Sequence, residues 1–216
     1  MPEEEINLEE SFLETIKKAD IKSEIIELAD ASIGQLESMH GVLEEIPYIK
    51  SLYAFGKVGM ALRDRHLIKK LLHFLRELNT ISEEERMRMF WDLEDNPKEK
   101  IKVGEHIITL IDKAESTEKA DFIGRLFKKY TLMKIDSSQF IRMTMIVNNS
   151  ILSDLKQLPR FKEELGGLYF ASGLHSFGLL VKTGSFDNTG NDVEQDKYML
   201  SAIGKNLISL LELETT

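Results

Sequence analysis

At 216 residues, with 42% hydrophobic and 30% charged side chains, the chain has an ordinary globular composition, with room for one good core or two small ones. It has no cysteine, which excludes disulfides, thiolate nucleophiles and zinc-thiolate sites and fits a reducing cytosol. Its formal net charge of −9 argues against nucleic acid as a general partner.

The charge is uneven along the chain. Residues 1–45 hold thirteen acids against three bases, whereas residues 46–76 hold seven bases against Asp64 alone. The start, MPEEEINLEE, has neither the basic nor the apolar region of a secretory signal, so a cytoplasmic location is expected. Residues 8–30 place Leu8, Phe12, Leu13, Ile16, Ile21, Ile25, Ile26 and Leu28 among acids, which predicts one or two amphipathic helices. Residues 1–30 therefore read as an acidic amphipathic arm, either capping the core or covering the basic stretch beside it. Gly34 and Gly41 mark turns or close packing in the next segment. Glu37 and His40 have the Glu-x-x-His spacing of di-iron bundles, but no second motif accompanies them, so no metal is expected.

The stretch Ile46 to Leu78 carries the longest apolar periodicity. Ile49, Tyr53, Gly56, Met60, Leu67, Leu71, Phe74 and Leu78 share one helical face. Pro47 suits a first helical position, with Glu44 and Glu45 at the positive end of the helix dipole. Phe55, Val58 and Leu62 form a second apolar patch opposite the first, leaving a narrow strip for Lys50 and Lys57. Gly56 and Gly59 predict a bend, a close backbone contact or two successive helices. Charges at Lys50, Lys57 and Arg63 interrupt any membrane-spanning run.

Four further helices are legible. Ser82 with Glu85 forms a capping box before Met87, Phe90, Trp91 and Leu93. Asn96 and Pro97 open a helix burying Ile101, Val103, Ile107, Ile108, Leu110 and Ile111. Thr117 with Glu118 starts a third, with Phe122, Ile123, Leu126 and Phe127 inward. Asp136 with Gln139 starts a fourth, expected to reach Leu158 before Pro159 interrupts it. From Gly166 onward the composition shifts to glycine and small polar residues. Leu179–Thr183 and Lys197–Leu200 read as strands of a β-hairpin with a long tip, and Ser201 caps a last helix burying Ile203, Leu207, Leu210 and Leu211. The expected fold is mainly α: an arm at 1–30, a helical bundle at 31–135, and an α+β segment with one hairpin at 136–216.

Gly178, Leu179, Leu180 and Val181, followed by Tyr198, Leu200, Ser201 and Gly204, resemble the end of a winged-helix domain over roughly residues 138–212. That family runs a recognition helix into a glycine-leucine-valine strand and, after the wing, opens a closing helix with tyrosine-x-leucine-threonine-x-x-glycine. The resemblance implies DNA binding. The residues here depart from it: GGLYFASGLHS offers Tyr169, Ser172, His175 and Ser176 but no arginine or lysine, and the wing carries Asp187, Asp192, Glu194 and Asp196. A structural or protein-contact module is the better expectation. Asp187, Thr189 and Asn191 fit alternate positions of a calcium loop, but Asp192 and Tyr198 stand where glycine and glutamate belong. The central block, residues 46–145, is similar to uncharacterised bacterial proteins, some of them associated with phage defence; no catalytic motif comes with that resemblance.

No GxSxG, phosphate-binding glycine loop or paired metal motif is present. Of the five histidines, His66 and His73 align with Lys70 and Glu77 on one helix flank, the best-placed polar cluster, and the flank reads as the polar edge of an amphipathic helix. The expectation is a non-enzymatic helical interaction protein without a cofactor, a defence or stress effector by the bacterial resemblance. Tyr48, Lys50, Tyr53, Phe55, Lys57, Val58, Leu62, Arg63 and Arg65 are its interaction candidates. A protein partner or a second copy fits that surface, and so does peripheral contact with an anionic membrane. The alternative is a winged-helix regulator binding DNA.

Overall fold

The computed structural model describes residues 7–17, 23–54, 62–94, 97–166, 168–187 and 194–214. The chain is mainly α-helical with a small three-stranded antiparallel sheet, and it divides into two compact units, Met1–Ser137 and Ser138–Thr216.

The first unit runs α1 (Leu8–Lys17), α2 (Ser23–Asp30), α3 (Ile33–Ser38), α4 (His40–Leu43), α5 (Pro47–Ala54), α6 (Leu62–Leu78), α7 (Glu83–Glu94), α8 (Pro97–Lys113) and α9 (Thr117–Thr131). Local signals set several starts. Pro47 opens α5, and the capping box before α7 is formed: Glu85 N–H donates to Ser82 Oγ at 3.3 Å while Ser82 N–H donates to Glu85 Oε2 at 3.0 Å. A second capping box, Ser32 with Gln35, opens α3. For α9 the capping hydroxyl belongs to Ser116 rather than Thr117: extended Ser116 accepts the Lys119 N–H, and Thr117 is already helical.

An unbroken file of rings runs through this unit. Phe12 of α1 meets Tyr48 of α5 edge-on at 5.3 Å and Phe74 of α6 at 6.1 Å; Phe74 meets Phe127 of α9 at 5.6 Å. Such pairs add about 0.5–1.5 kcal/mol each beyond the area they bury. Phe12, Leu13 and Ile16 are buried, so the acidic segment contributes side chains to the core. α1 packs on α5 and α8, and α2 on α6. The tightest crossing is α6 with α9, where Gly124 faces the Phe74 carbonyl and Glu77.

The second unit contains α10 (Ser137–Asn149), α11 (Leu152–Gln157), a 3-10 segment (Leu158–Lys162), β1 (Leu165–Gly166), α12 (Ala171–Ser176), β2 (Leu180–Asp187), β3 (Glu194–Leu200) and α13 (Ala202–Leu211). The single helix expected up to Leu158 is two helices. Ile151 is extended between them, and Asn149 spends its side-chain amide on the Met145 carbonyl at 2.8 Å, the kind of local competition that ends helices. The hairpin strands are longer than expected, and β1 adds a third strand in the order β1-β3-β2. Leu165 pairs with Tyr198, and Leu180 with Leu200. The register slips between Lys182 and Gly184, a bulge that bends β2. Phe140, Val147, Leu155, Leu158, Phe161, Leu174, Leu179, Leu207 and Leu211 form the core of this unit.

Candidate functional site

The stretch that organises the sequence is two helices, α5 and α6, on either side of residues that lie outside the description. Phe55, Gly56, Lys57, Val58, Gly59 and Met60 fall there, as does the side chain of Leu62. Of the remaining interaction candidates, Tyr48 belongs to the core rather than to an exposed surface. Its ring packs on Phe12, its N–H donates to Thr15 Oγ1 at 2.9 Å, and its phenol is pushed up to about 12 by burial, then by Glu9 and Asp112. Ile49 and Leu52 are buried beside it. Lys50 is exposed; Tyr53 is half-buried and stacks on His40 at 4.1 Å. The Arg63 side chain is 85% exposed, with Nη2 3.8 Å from Asp112, and Arg65 is half-buried.

The flank of α6 that aligned His66, Lys70, His73 and Glu77 delivers the last three to different partners. His66 is exposed. Lys70 donates to the carbonyls of Asp112 at 2.5 Å and Ala114 at 3.1 Å, satisfying the open end of α8. Desolvation lowers its pKa, and Asp112 opposes that. Glu77 accepts from Arg125 Nε at 3.1 Å. His73 reaches across to α9, where its Nδ1 lies 3.1 and 3.0 Å from the two carboxylate oxygens of Asp121. A carboxylate only accepts, so the proton sits on Nδ1 and the imidazole donates.

Arg76 completes this arrangement. Nη2 donates to both oxygens of Asp121 at 3.1 and 3.3 Å, and Nη1 donates to Asp30 Oδ1 of α2 at 2.8 Å. With His73 and Asp121 only 9% and 8% exposed, the group joins α2, α6 and α9 through a largely desolvated carboxylate. Arg76, Asp121 and Asp30 were not among the sequence candidates. Asp121 stands in a helix between the buried Ala120 and Phe122, but its partners lie more than forty residues earlier, beyond any spacing rule. Lys119, fully buried in the first turn of α9, is also unforeseen; its Nζ lies 3.2 Å from the Glu115 carboxylate.

Beside Asp30 the surface opens into a groove of about 740 Å³, lined by Glu27, Leu28 and Asp30 of α2 and by Gln35, Met39 and Val42 from the α3–α4 segment. In the second unit, the face that the winged-helix resemblance assigns to recognition is tied back to its own backbone. Ser172 and Ser176 donate to the Tyr169 and Gly173 carbonyls at 3.3 and 2.7 Å, and His175 Nδ1 donates to the Leu180 carbonyl at 2.9 Å. Tyr169 is 91% exposed. Lys182 pairs with Asp196 at 2.6 Å and Lys197 with Glu164 at 3.0 Å; the Lys182 bond holds Asp196 below the ordinary carboxylate range, and bonds from Thr183 and then Lys197 do the same for Glu164. Thr189 and Asn191 of the calcium-loop reading lie outside the described residues.

Among the described residues no helix is long and apolar enough to cross a membrane. No family model matches the chain, and neither a curated protein nor a solved structure matches it.

Proposed function

We propose that the chain is a non-enzymatic interaction protein that binds a protein partner through what the core leaves of its basic stretch, exposed Lys50 and Arg63 with half-buried Tyr53 and Arg65. The division of α5 carries this reading. Tyr48, Ile49 and Leu52 are spent on the core while Lys50 faces outward. A helix that lies in a membrane interface needs a free apolar face to insert. On α5 that face is covered by α1, which favours polar recognition of a protein over insertion. The most site-like histidine, His73, fits the same reading, since it fastens α6 to α9 while Arg76 beside it adds α2. The resemblance of the central block would place this activity in bacterial defence or stress.

Proximity labelling in cells tests it, comparing wild type with Lys50→Glu/Arg63→Glu. A neighbour labelled by wild type and lost with the folded double variant is expected; labelling that survives the charge reversal, together with flotation on anionic vesicles, sinks the protein-partner version.

DNA binding by the second unit is the other reading, favoured by its order of helix, strand, helix, hairpin and closing helix. The ion pairs at Lys182 and Lys197 weigh against it, because bases held by carboxylates neutralise no phosphate. A salt-dependent gel shift at low ionic strength would restore it.

A further inference from the structure

We infer that the groove between α2 and the α3–α4 segment is a docking site for a basic amphipathic helix of a partner protein. It shares no residue with the basic edge of α5 and α6, so it stands or falls separately. The chemistry of its lining specifies the occupant. Leu28, Met39 and Val42 give an apolar floor, and Glu27 and Asp30 stand beside it, with two α6 bases at that edge: Arg76 on Asp30, and Lys69, whose Nζ donates to the Ala31 carbonyl. Glu27 is exposed. The Asp30 side chain is 76% exposed even while Oδ1 accepts Arg76, so it can take a second cation. A volume of about 740 Å³ accommodates several side chains, and methionine adapts its shape to whatever it meets.

Charge decides among occupants. The stretch that supplies its lining, residues 23–45, holds six acids and no lysine or arginine, which repels nucleic acid and anionic lipid and attracts a cationic segment. A helix laid in a groove presents anchors at i, i+3 and i+4, and lysine or arginine on its flanks would meet Glu27 and Asp30. Such pairing at the rim speeds encounter, while burial against Met39 and Val42 holds the complex.

The test uses the full chain and two short labelled peptides with identical leucine positions, one carrying lysine and the other glutamate at the polar positions, read by fluorescence anisotropy at low and high salt. The lysine peptide binds, weakens with salt, and loses affinity by about tenfold with Met39→Glu and with Glu27→Lys, while the glutamate peptide stays free. Glu27 is exposed, so its variant keeps the fold even if the methionine variant does not. Lys50→Glu/Arg63→Glu leaves peptide binding unchanged, separating this site from the basic edge. Failure of the lysine peptide to bind, equal binding of both peptides, or binding indifferent to Glu27→Lys overturns the proposal.

Discussion

A β carbon built on Gly124 would stand 2.9 Å from the carbonyl oxygen of Phe74, closer than side chains approach a backbone oxygen. The α6–α9 crossing, around which the first unit is assembled, therefore depends on a residue with no side chain at the contact point. That close approach also brings His73 and Arg76 of α6 within hydrogen-bonding distance of Asp121 on α9.

Gly124→Ala consequently forces the two helices apart. Overpacking of this kind costs about 1–3 kcal/mol, more than the helix-propensity gain of about 1 kcal/mol returns. Urea denaturation should show a lower midpoint for the variant, and an unchanged or higher midpoint would refute the crossing.

Asp121→Ala should destabilise by about 3 kcal/mol, because it leaves Arg76 and His73 facing one another with no acceptor between them. Arg76 Nη2 and His73 Nδ1 are 3.2 Å apart and both donate. Replacing both, His73→Leu with Asp121→Leu, should recover part of that loss, since apolar packing fills the site while half-buried Arg76 keeps Asp30 and reaches solvent. Denaturation of the three proteins measures this. A stable Asp121→Ala protein that has lost its cellular activity would instead make the dyad a functional site.

Stability should fall in alkali through Tyr48. Its folded pKa, about 12, lies above the ordinary value of 10.0, so the fold favours the neutral phenol. The contribution is complete below pH 10 and is lost as pH rises towards 12; two pKa units correspond to roughly 2–3 kcal/mol. Tyr48→Phe should flatten this part of the stability profile, as read by thermal melting, and should remove a late-ionising tyrosine from the wild-type ultraviolet titration.

In the second unit Gly204→Ala should be among the most damaging small substitutions, because a β carbon there would collide with the Leu179 carbonyl. That carbonyl also accepts the Ser201 N–H at 3.0 Å, tying the start of α13 to the residue before β2. Circular dichroism melting of the variant should fall by several degrees, consistent with an overpacking cost of about 1–3 kcal/mol.

Much of the helical layout could be read from residues within one turn of each other. Pro47 at the start of α5, Ser82 with Glu85 before α7 and Ser201 before α13 act locally, and apolar spacing identified Leu71, Phe74 and Leu78 as buried. The break at Ser150 and Ile151 escaped because apolar periodicity continues across it. β1 escaped because two residues carry no strand pattern of their own and become a strand only by pairing with Tyr198 and Lys197.

The polar flank of α6 shows where local reading stops. Spacing placed His66, Lys70, His73 and Glu77 on one side of a helix, and that much is a property of 3.6 residues per turn. The partners of Lys70, His73 and Glu77 are carbonyls at the end of α8 and acidic or basic side chains on α9, from 42 to 48 residues away. Sequence alone determined most of the helices, the caps at Pro47, Ser82 and Ser201, and the charge that divides residues 1–45 from 46–76, since these follow from neighbours along the chain. Tertiary structure alone decided that Tyr48 is core, that Asp121 gathers His73 and Arg76, and that an acidic groove opens beside Asp30, because packing, and not spacing, brings those groups together.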